Sequence, residues 1–256
     1  MNPTPSKPFA GQVCLVTGAT RGIGRAIARM LLMEGAGVTI CGRSQAAVDQ
    51  AVSELRSETG GKVEGKAADV KNYDQVAELF RFVDSHFGTL DVLVNNAGVG
   101  IFRPISELTL EDWKTTVETN LYGVFHATRE ALYRFGTRGG GYVVNMSSLA
   151  GANAFAGGAA YNASKFALTG FSEAVMQDVR NENVRVSYVM PGSVATEFGG
   201  HPDLGPDWRS DPSSAWRIWP EDIADIVRML LLTPPRTLIS RVEVRPSRPP
   251  QTGSKR

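Results

Sequence analysis

Short apolar runs alternate with amphipathic helical periods from residue 12 to residue 244, and this alternation limits the fold more than any other feature. The apolar runs are "QVCLVTG" (12–18), "VTICG" (38–42), "KVEGKAADV" (62–70), "LDVLVNNAG" (90–98), "GYVVNMSS" (141–148), "NVRVSYVMPG" (183–192) and "TLISRVEV" (237–244). Most are nearly continuous in apolar residues. A strand with one wet face alternates polar and apolar positions, whereas a strand covered on both faces does not. Between these runs the apolar residues recur at helical spacing, over 22–36, 44–60, 72–88, 109–135, 160–181 and 220–232. Local punctuation agrees. Ser44 is placed to cap the second helix, Asn72 and Gln75 occupy capping-box positions, and Pro220 stands in the first turn of the last helix.

Buried parallel strands linked by crossover helices make an α/β fold. The expectation is a single Rossmann-type doubly wound parallel sheet of about seven strands, flanked by helices on both faces. No composition break marks a second domain. One domain is expected over 9–245, after a flexible lead at 1–8 and before a basic, proline-containing tail at 246–256. A hydrophobic fraction of 42% suits one buried core, and a net charge of +1 argues against a nucleic-acid partner. The most apolar run, "IVRMLLL" (226–232), is short and carries Arg228, so no membrane span is expected. The N-terminal "MNPTPSKPF" lacks the apolar stretch of a secretory signal. Cys14 and Cys41 lie in strand-like runs and read as buried thiols. The N-x-S matches at Asn145 and Asn162 read as accidental, and a reducing, cytoplasmic setting is expected.

Ligands of such a sheet bind beyond the carboxyl ends of the strands, so the segments after each strand come next. The first is "TGATRGIG" (17–24), where Gly18, Gly22 and Gly24 sit between strand and helix. Small residues let the backbone approach a pyrophosphate, and the helix N-terminus offers free N–H groups. The spacing Gly-x-x-x-Gly-x-Gly resembles the short-chain dehydrogenase/reductase (SDR) family, and the resemblance continues in order along the chain. "NNAG" (95–98), Asn120, Ser148, "YNASK" (161–165) and "PGSVAT" (191–196) stand where the family has its motifs.

The residues have a physical reading beside the resemblance. Reducing a carbonyl requires hydride at carbon and a proton at oxygen. A tyrosine hydroxyl titrates near 10, too high for easy exchange at neutral pH, and a neighbouring ammonium lowers that value. Lys165 lies one helical turn from Tyr161, and a hydroxyl from Ser148 can hold the substrate oxygen against Tyr161. Asn120 falls inside the apolar stripe Val117, Leu121 and Val124. It is either a structural asparagine bonded to nearby backbone or, as the resemblance implies, the holder of a water that links the lysine to solvent. The catalytic set is therefore Asn120, Ser148, Tyr161 and Lys165.

For the cofactor, the second strand ends in "CGRS", with Gly42 where an NAD-preferring protein places an acid. Arg43 and Arg21 can clamp a 2′-phosphate, unless both are solvated surface charges. The expected cofactor is NADP(H), bound by Gly18, Thr20, Arg21, Gly22, Ile23, Gly24, Arg43 and Ser44. By resemblance Asp69 and Val70 bracket the adenine, while Asn95, Asn96, Ala97 and Gly98 line the adenosine side. Tyr161, Lys165, Pro191, Gly192, Val194 and Thr196 complete the nicotinamide side. Asp69 also reads as an ordinary acid at a helix start.

The segment 197–219 has no periodicity and reads as a substrate loop. Its Trp208, Trp216 and Trp219 either wall an apolar pocket or pack the loop against the body or a second subunit. Phe155 and Phe198 are further pocket candidates. The ending "SRVEVRPSRPPQTGSKR" lacks the Val-Asp-Gly-Gly-like stretch of the family's acyl-carrier-protein reductases. It is closer to endings of reductases of small hydroxy acids or varied ketones. The resemblance implies carbonyl–alcohol interconversion on a small ketone, a 3-oxo or 3-hydroxy acid or a 3-oxoacyl compound. It also implies a homotetramer or dimer, with helices 109–135 and 160–181 pairing across a two-fold axis. A non-catalytic NADP(H)-binding regulator is the alternative. A serine hydrolase is excluded by the absence of a G-x-S-x-G elbow, and no ligand-spaced cluster suggests a metal.

Overall fold

A computed structural model describes residues 7–199 and 215–248. The strands are β1 (Val13–Val16), β2 (Gly37–Gly42), β3 (Val63–Ala67), β4 (Val92–Asn95), β5 (Gly141–Met146), β6 (Val184–Pro191) and β7 (Arg241–Val244). The helices are α1 (Gly22–Met33), α2 (Gln45–Thr59), α3 (Tyr73–Phe87), α4 (Leu110–Val117), α5 (Gly123–Arg138), α6 (Ala159–Asp178) and α7 (Pro220–Leu232). The seven strands form one sheet in the order β3-β2-β1-β4-β5-β6-β7, and every adjacent pair is parallel.

Alternate side chains of the same strand enter opposite layers, and both layers are apolar. In β1, Cys14 and Val16 join Ile27 and Leu31 of α1, Leu55 of α2 and Val227 of α7. Val13 and Leu15 join Leu79 and Phe80 of α3, Phe135 of α5 and Val175 of α6. Phe80 and Phe135 are fully buried, a gain of about 2–3 kcal/mol each. No helix among the described residues is long and apolar enough to cross a membrane.

The helix starts follow the local chemistry. Ser44 Oγ accepts the Ala47 N–H, and Asn72 Oδ1 accepts that of Gln75. Gln75 does not close a capping box with Asn72. Its Oε1 instead accepts the Asp69 N–H at 2.9 Å.

Two element readings change. The strand expected at 62–70 ends early, at Ala67, and the run at 90–98 is strand only to Asn95, where the chain leaves the sheet for a loop. The helix expected at 109–135 is not continuous. α4 and α5 flank a π-helical segment, Glu118–Tyr122, with Asn120 at its middle. Strand order reverses between β1 and β4, and the loops after β1, β2, β4, β5 and β6 open on that crevice.

Candidate active site

The first loop is built for close approach. Gly18 has φ +63°, and a Cβ there would lie 2.7 Å from the Ala97 Cα. A Cβ on Gly24 would lie 2.6 Å from the Gly18 carbonyl oxygen. Thr17 Oγ1 accepts the N–H groups of both Asn96 and Ala97 at 3.0 Å. Asn96 Nδ2 donates back to the carbonyls of Thr17 and Gly18. Asn96 is thus a brace that locks the loop after β4 onto the glycine-rich loop. Ile23 packs on the core beneath them.

At the end of β2, a Cβ on Gly42 would meet Thr20 Cγ2 at 2.7 Å. A side chain there would require Thr20 to shift. Arg43 is exposed, and Arg21 Nη1 pairs with Glu197 Oε2 at 3.2 Å on the surface.

The adenosine-side residues divide. Asp69 Oδ1 accepts the Lys71 N–H at 3.1 Å, while Val70 is buried against Gly123. Asn95 leaves the set. Its Nδ2 donates to Thr128 Oγ1 and Asn145 Oδ1, and Asn145 Nδ2 donates to Ser172 Oγ. Asn95 ends a buried polar ladder linking β4, β5, α5 and α6, because the period-2 pleat turns it into the helix layer.

On the other side, Ser148 Oγ lies 3.5 Å from the Pro191 carbonyl oxygen and accepts the Ala150 N–H at 3.1 Å. Gly192 N–H donates to Val244 O, beside the end of β7. Thr196 Cγ2 would be 3.3 Å from a Cβ on Gly22, so the loop after β6 closes over the start of α1. Val194 pairs with Ile218, which brings the two ends of the irregular segment together. Trp219 is the N-cap of α7, and Trp216 lies under the Arg217 guanidinium, 5.3 Å away. Trp208 lies outside the described residues.

Tyr161 and Lys165 are both buried on one face of α6. Lys165 Nζ donates to Met146 O at 2.8 Å and lies 5.7 Å from the centre of the Tyr161 ring. Burial lowers the Lys165 ammonium to about 8. Burial raises the Tyr161 hydroxyl above its ordinary value, and a hydrogen bond with Ser148 offsets part of that rise. Lys165 is not among the causes of that shift. A lysine that is itself desolvated, more than 5 Å from the ring centre, is outweighed by the burial of the phenol.

Asn120 is buried by the π-helical segment. Its Nδ2 donates to Val99 O and Ser164 Oγ, and its Oδ1 accepts the Val99 N–H at 2.8 Å. Both amide hydrogens are used, which leaves one acceptor position on Oδ1. Gly98 stands between the two polar groups. A Cβ there would be 3.2 Å from Asn120 Oδ1 and 3.9 Å from Lys165 Nζ.

Sequence reasoning did not find Phe102. Its ring meets Tyr161 edge-on at 5.4 Å and Phe155 at 5.7 Å, while Phe198 meets Tyr161 at 5.7 Å. Its position in the loop after β4 was the available signal. Asn162 and Ser164, also missed, are buried polar residues beside Tyr161.

Known proteins share this layout. A short chain dehydrogenase profile matches residues 12–202. The NADP-dependent 3-hydroxy acid dehydrogenase YdfG of Escherichia coli is 32% identical over 238 residues, covering 91% of this chain and 94% of that protein. The glycine betaine reductase ATRR of Emericella nidulans is 32% identical over 251 residues, 96% of this chain, but the chain spans 19% of that protein's length. The solved structure of an alcohol dehydrogenase from the archaeon Thermococcus sibiricus, complexed with 5-hydroxy-NADP, superposes with a TM-score of 0.83 at 32% identity. It covers 93% of this chain and 99% of that one. Sheet order, the loops at the crevice and full-length similarity all agree, and the chain belongs to the short chain dehydrogenase family.

Proposed function

We propose that the protein is an NADP(H)-dependent oxidoreductase that interconverts a carbonyl and a secondary alcohol. The observation that carries this reading is the convergence of Tyr161, Ser148 and a buried Lys165 beside a glycine-rich loop with no room for added side chains. The cradle at Gly18 and Gly24, which a Cβ would fill, fits a pyrophosphate. Gly42, Arg21 and Arg43 fit a 2′-phosphate, with Arg21 exchanging Glu197 for the phosphate. Relatives named as NADP-dependent or complexed with an NADP derivative support the same choice. The nicotinamide supplies the hydride when bound.

The chain's own residues handle the oxygen. Ser148 orients the substrate carbonyl, and Tyr161 gives its proton to the developing alkoxide. Lys165 replaces that proton, since a buried ammonium near 8 releases one readily at neutral pH. A water that accepts from Lys165 and donates to the remaining acceptor position of Asn120 Oδ1 completes the path to solvent. In oxidation each transfer reverses. The substrates are small ketones, 3-oxo or 3-hydroxy acids or 3-oxoacyl compounds. The protein acts as a homo-oligomer, a tetramer or a dimer.

The test is a carbonyl panel followed by NADPH absorbance, with Tyr161→Phe alongside. Removing the proton donor should lower kcat about 10²–10⁴-fold while leaving NADPH binding, read by fluorescence, near the wild-type value. Full turnover in Tyr161→Phe overturns the mechanism.

A further inference from the structure

Asn162 follows Tyr161 in the first turns of α6, and its side chain is buried without touching the reacting groups. Nδ2 donates to Ala150 O at 2.9 Å and, more weakly, to Asn153 O at 3.3 Å. Oδ1 accepts the Phe155 N–H at 3.4 Å. One carboxamide thus ties the loop between β5 and α6 to the helix that carries Tyr161. Ser148 fastens the start of the same loop through the Ala150 N–H.

This tether places an aromatic ring. A Cβ on Gly158 would lie 2.4 Å from Asn162 Oδ1 and 2.6 Å from Phe155 Cε2, so the Phe155 ring lies over Gly158 beside the carboxamide. The neighbouring loop is joined to it by the Arg103 N–H, which donates to Gly157 O at 2.8 Å. Phe102, one residue earlier, packs against both Phe155 and Tyr161, and Phe198 closes the other side. The three rings are 39%, 47% and 38% exposed around a tyrosine that is 8% exposed. Large apolar side chains gathered in water around one reactive hydroxyl are a surface for a ligand to cover. Arg103, the basic residue beside this wall, already has a carboxylate partner, Asp112, at 3.3 Å.

We propose that Asn162 is a positioning residue that fixes the Phe102–Phe155 wall beside Tyr161, and that this wall selects neutral carbonyl compounds with a flat aromatic substituent over short charged 3-oxo acids. The proposal rests on the carbonyl-reducing function above. An aromatic substituent stacks edge-on or offset against such rings, with ring centres about 4.5–7 Å apart. A carboxylate in the same place loses its hydration and finds no partner on the rings.

The experiment compares an aryl alkyl ketone with a short aliphatic 3-oxo acid, using NADPH, in wild type, Phe155→Ala, Asn162→Ala and the double variant. The ratio of kcat/KM values, aryl to acid, should favour the aryl ketone in wild type and fall about tenfold in Phe155→Ala, mainly through KM. Asn162→Ala should move the ratio the same way, and the double variant should add little beyond Phe155→Ala, since both changes release one wall. Calorimetric binding of the matching aryl alcohol should weaken in step. Phe155 is half exposed, so its truncation keeps the fold, and Asn162→Ser serves if Asn162→Ala does not. An unchanged ratio in Phe155→Ala, equal losses on both carbonyls in the Asn162 variants, or additive effects overturn the proposal. If wild type reduces neither compound, the enzymatic reading fails. The binding arm still decides the wall, because aryl alcohol affinity independent of Phe155 overturns it.

Discussion

Lys165 sits in an environment that opposes its own charge. It is buried on α6, has one carbonyl as partner, and is lowered from 10.5 to about 8. The lysine's folded value lies below its unfolded one, so the unfolded chain binds more protons between about pH 8 and 10.5. Burying the ammonium therefore costs stability in full below about pH 8, and the cost fades as pH rises toward 10.5. Lys165→Met should be inactive yet more stable at pH 7, by on the order of 1–2 kcal/mol after the lost bond to Met146 is counted. Melting curves from pH 7 to pH 10 check this, and an advantage that does not shrink with rising pH rejects it. The cofactor corner gives a second prediction at this scale. Arg21→Ala with Arg43→Ala should lower kcat/KM for NADPH about 10–100-fold and change that for NADH little, since only the former carries the phosphate. Equal losses with both cofactors would remove the clamp. Ser148 was legible from its place after a strand, and Tyr161 and Lys165 from their one-turn spacing on a helix within the family's ordered motifs. Phe102 was not, because Phe155 and Tyr161 are brought to it from more distant parts of the chain, and Asn162 was not, because its partners are carbonyl and N–H groups of an irregular loop that no side-chain pattern marks.

At the scale of elements, the sequence showed the alternation and the cap positions well. It missed the break between α4 and α5. A periodic stripe through Val117, Leu121 and Val124 reads as one helix, yet the buried positions are Thr116, Asn120, Gly123 and Val124. One wide turn shifts the helical phase by about 100°, a change that a sum over many residues hides. What holds the wide turn is tertiary: Asn120 grips both the N–H and the C=O of Val99 and reaches Ser164. Asn120→Leu would suit the apolar stripe read from sequence. It should instead destabilise the fold by about 2–3 kcal/mol in urea unfolding, because the N–H and C=O of Val99 and the buried Ser164 lose their partner. Wild-type stability in that variant would show that the π-helical segment forms without the carboxamide.

Across the whole molecule, the helix layer that carries Tyr161 also presents several exposed aromatic rings. Tyr122, Phe125 and Tyr133 follow one helical stripe along α5 and the segment before it, 52%, 46% and 75% exposed, and Phe166 on α6 adds 46%. Scattered apolar residues are ordinary on a surface, but a stripe of aromatic rings on adjoining helices suits burial against a second copy. In the proposed homo-oligomer, a two-fold axis between the α5–α6 faces would set each stripe on its equivalent and would also clamp the helix that carries Tyr161 and Lys165. Assembly and catalysis then share a support. Phe125→Glu with Tyr133→Glu places like charges across that axis and should halve the assembly mass measured by light scattering at micromolar concentration. The same variant should unfold at lower temperature, and the wild-type midpoint should climb with protein concentration more steeply than the variant's. A wild-type monomer, or an unchanged mass in the double variant, would place the pairing surface elsewhere.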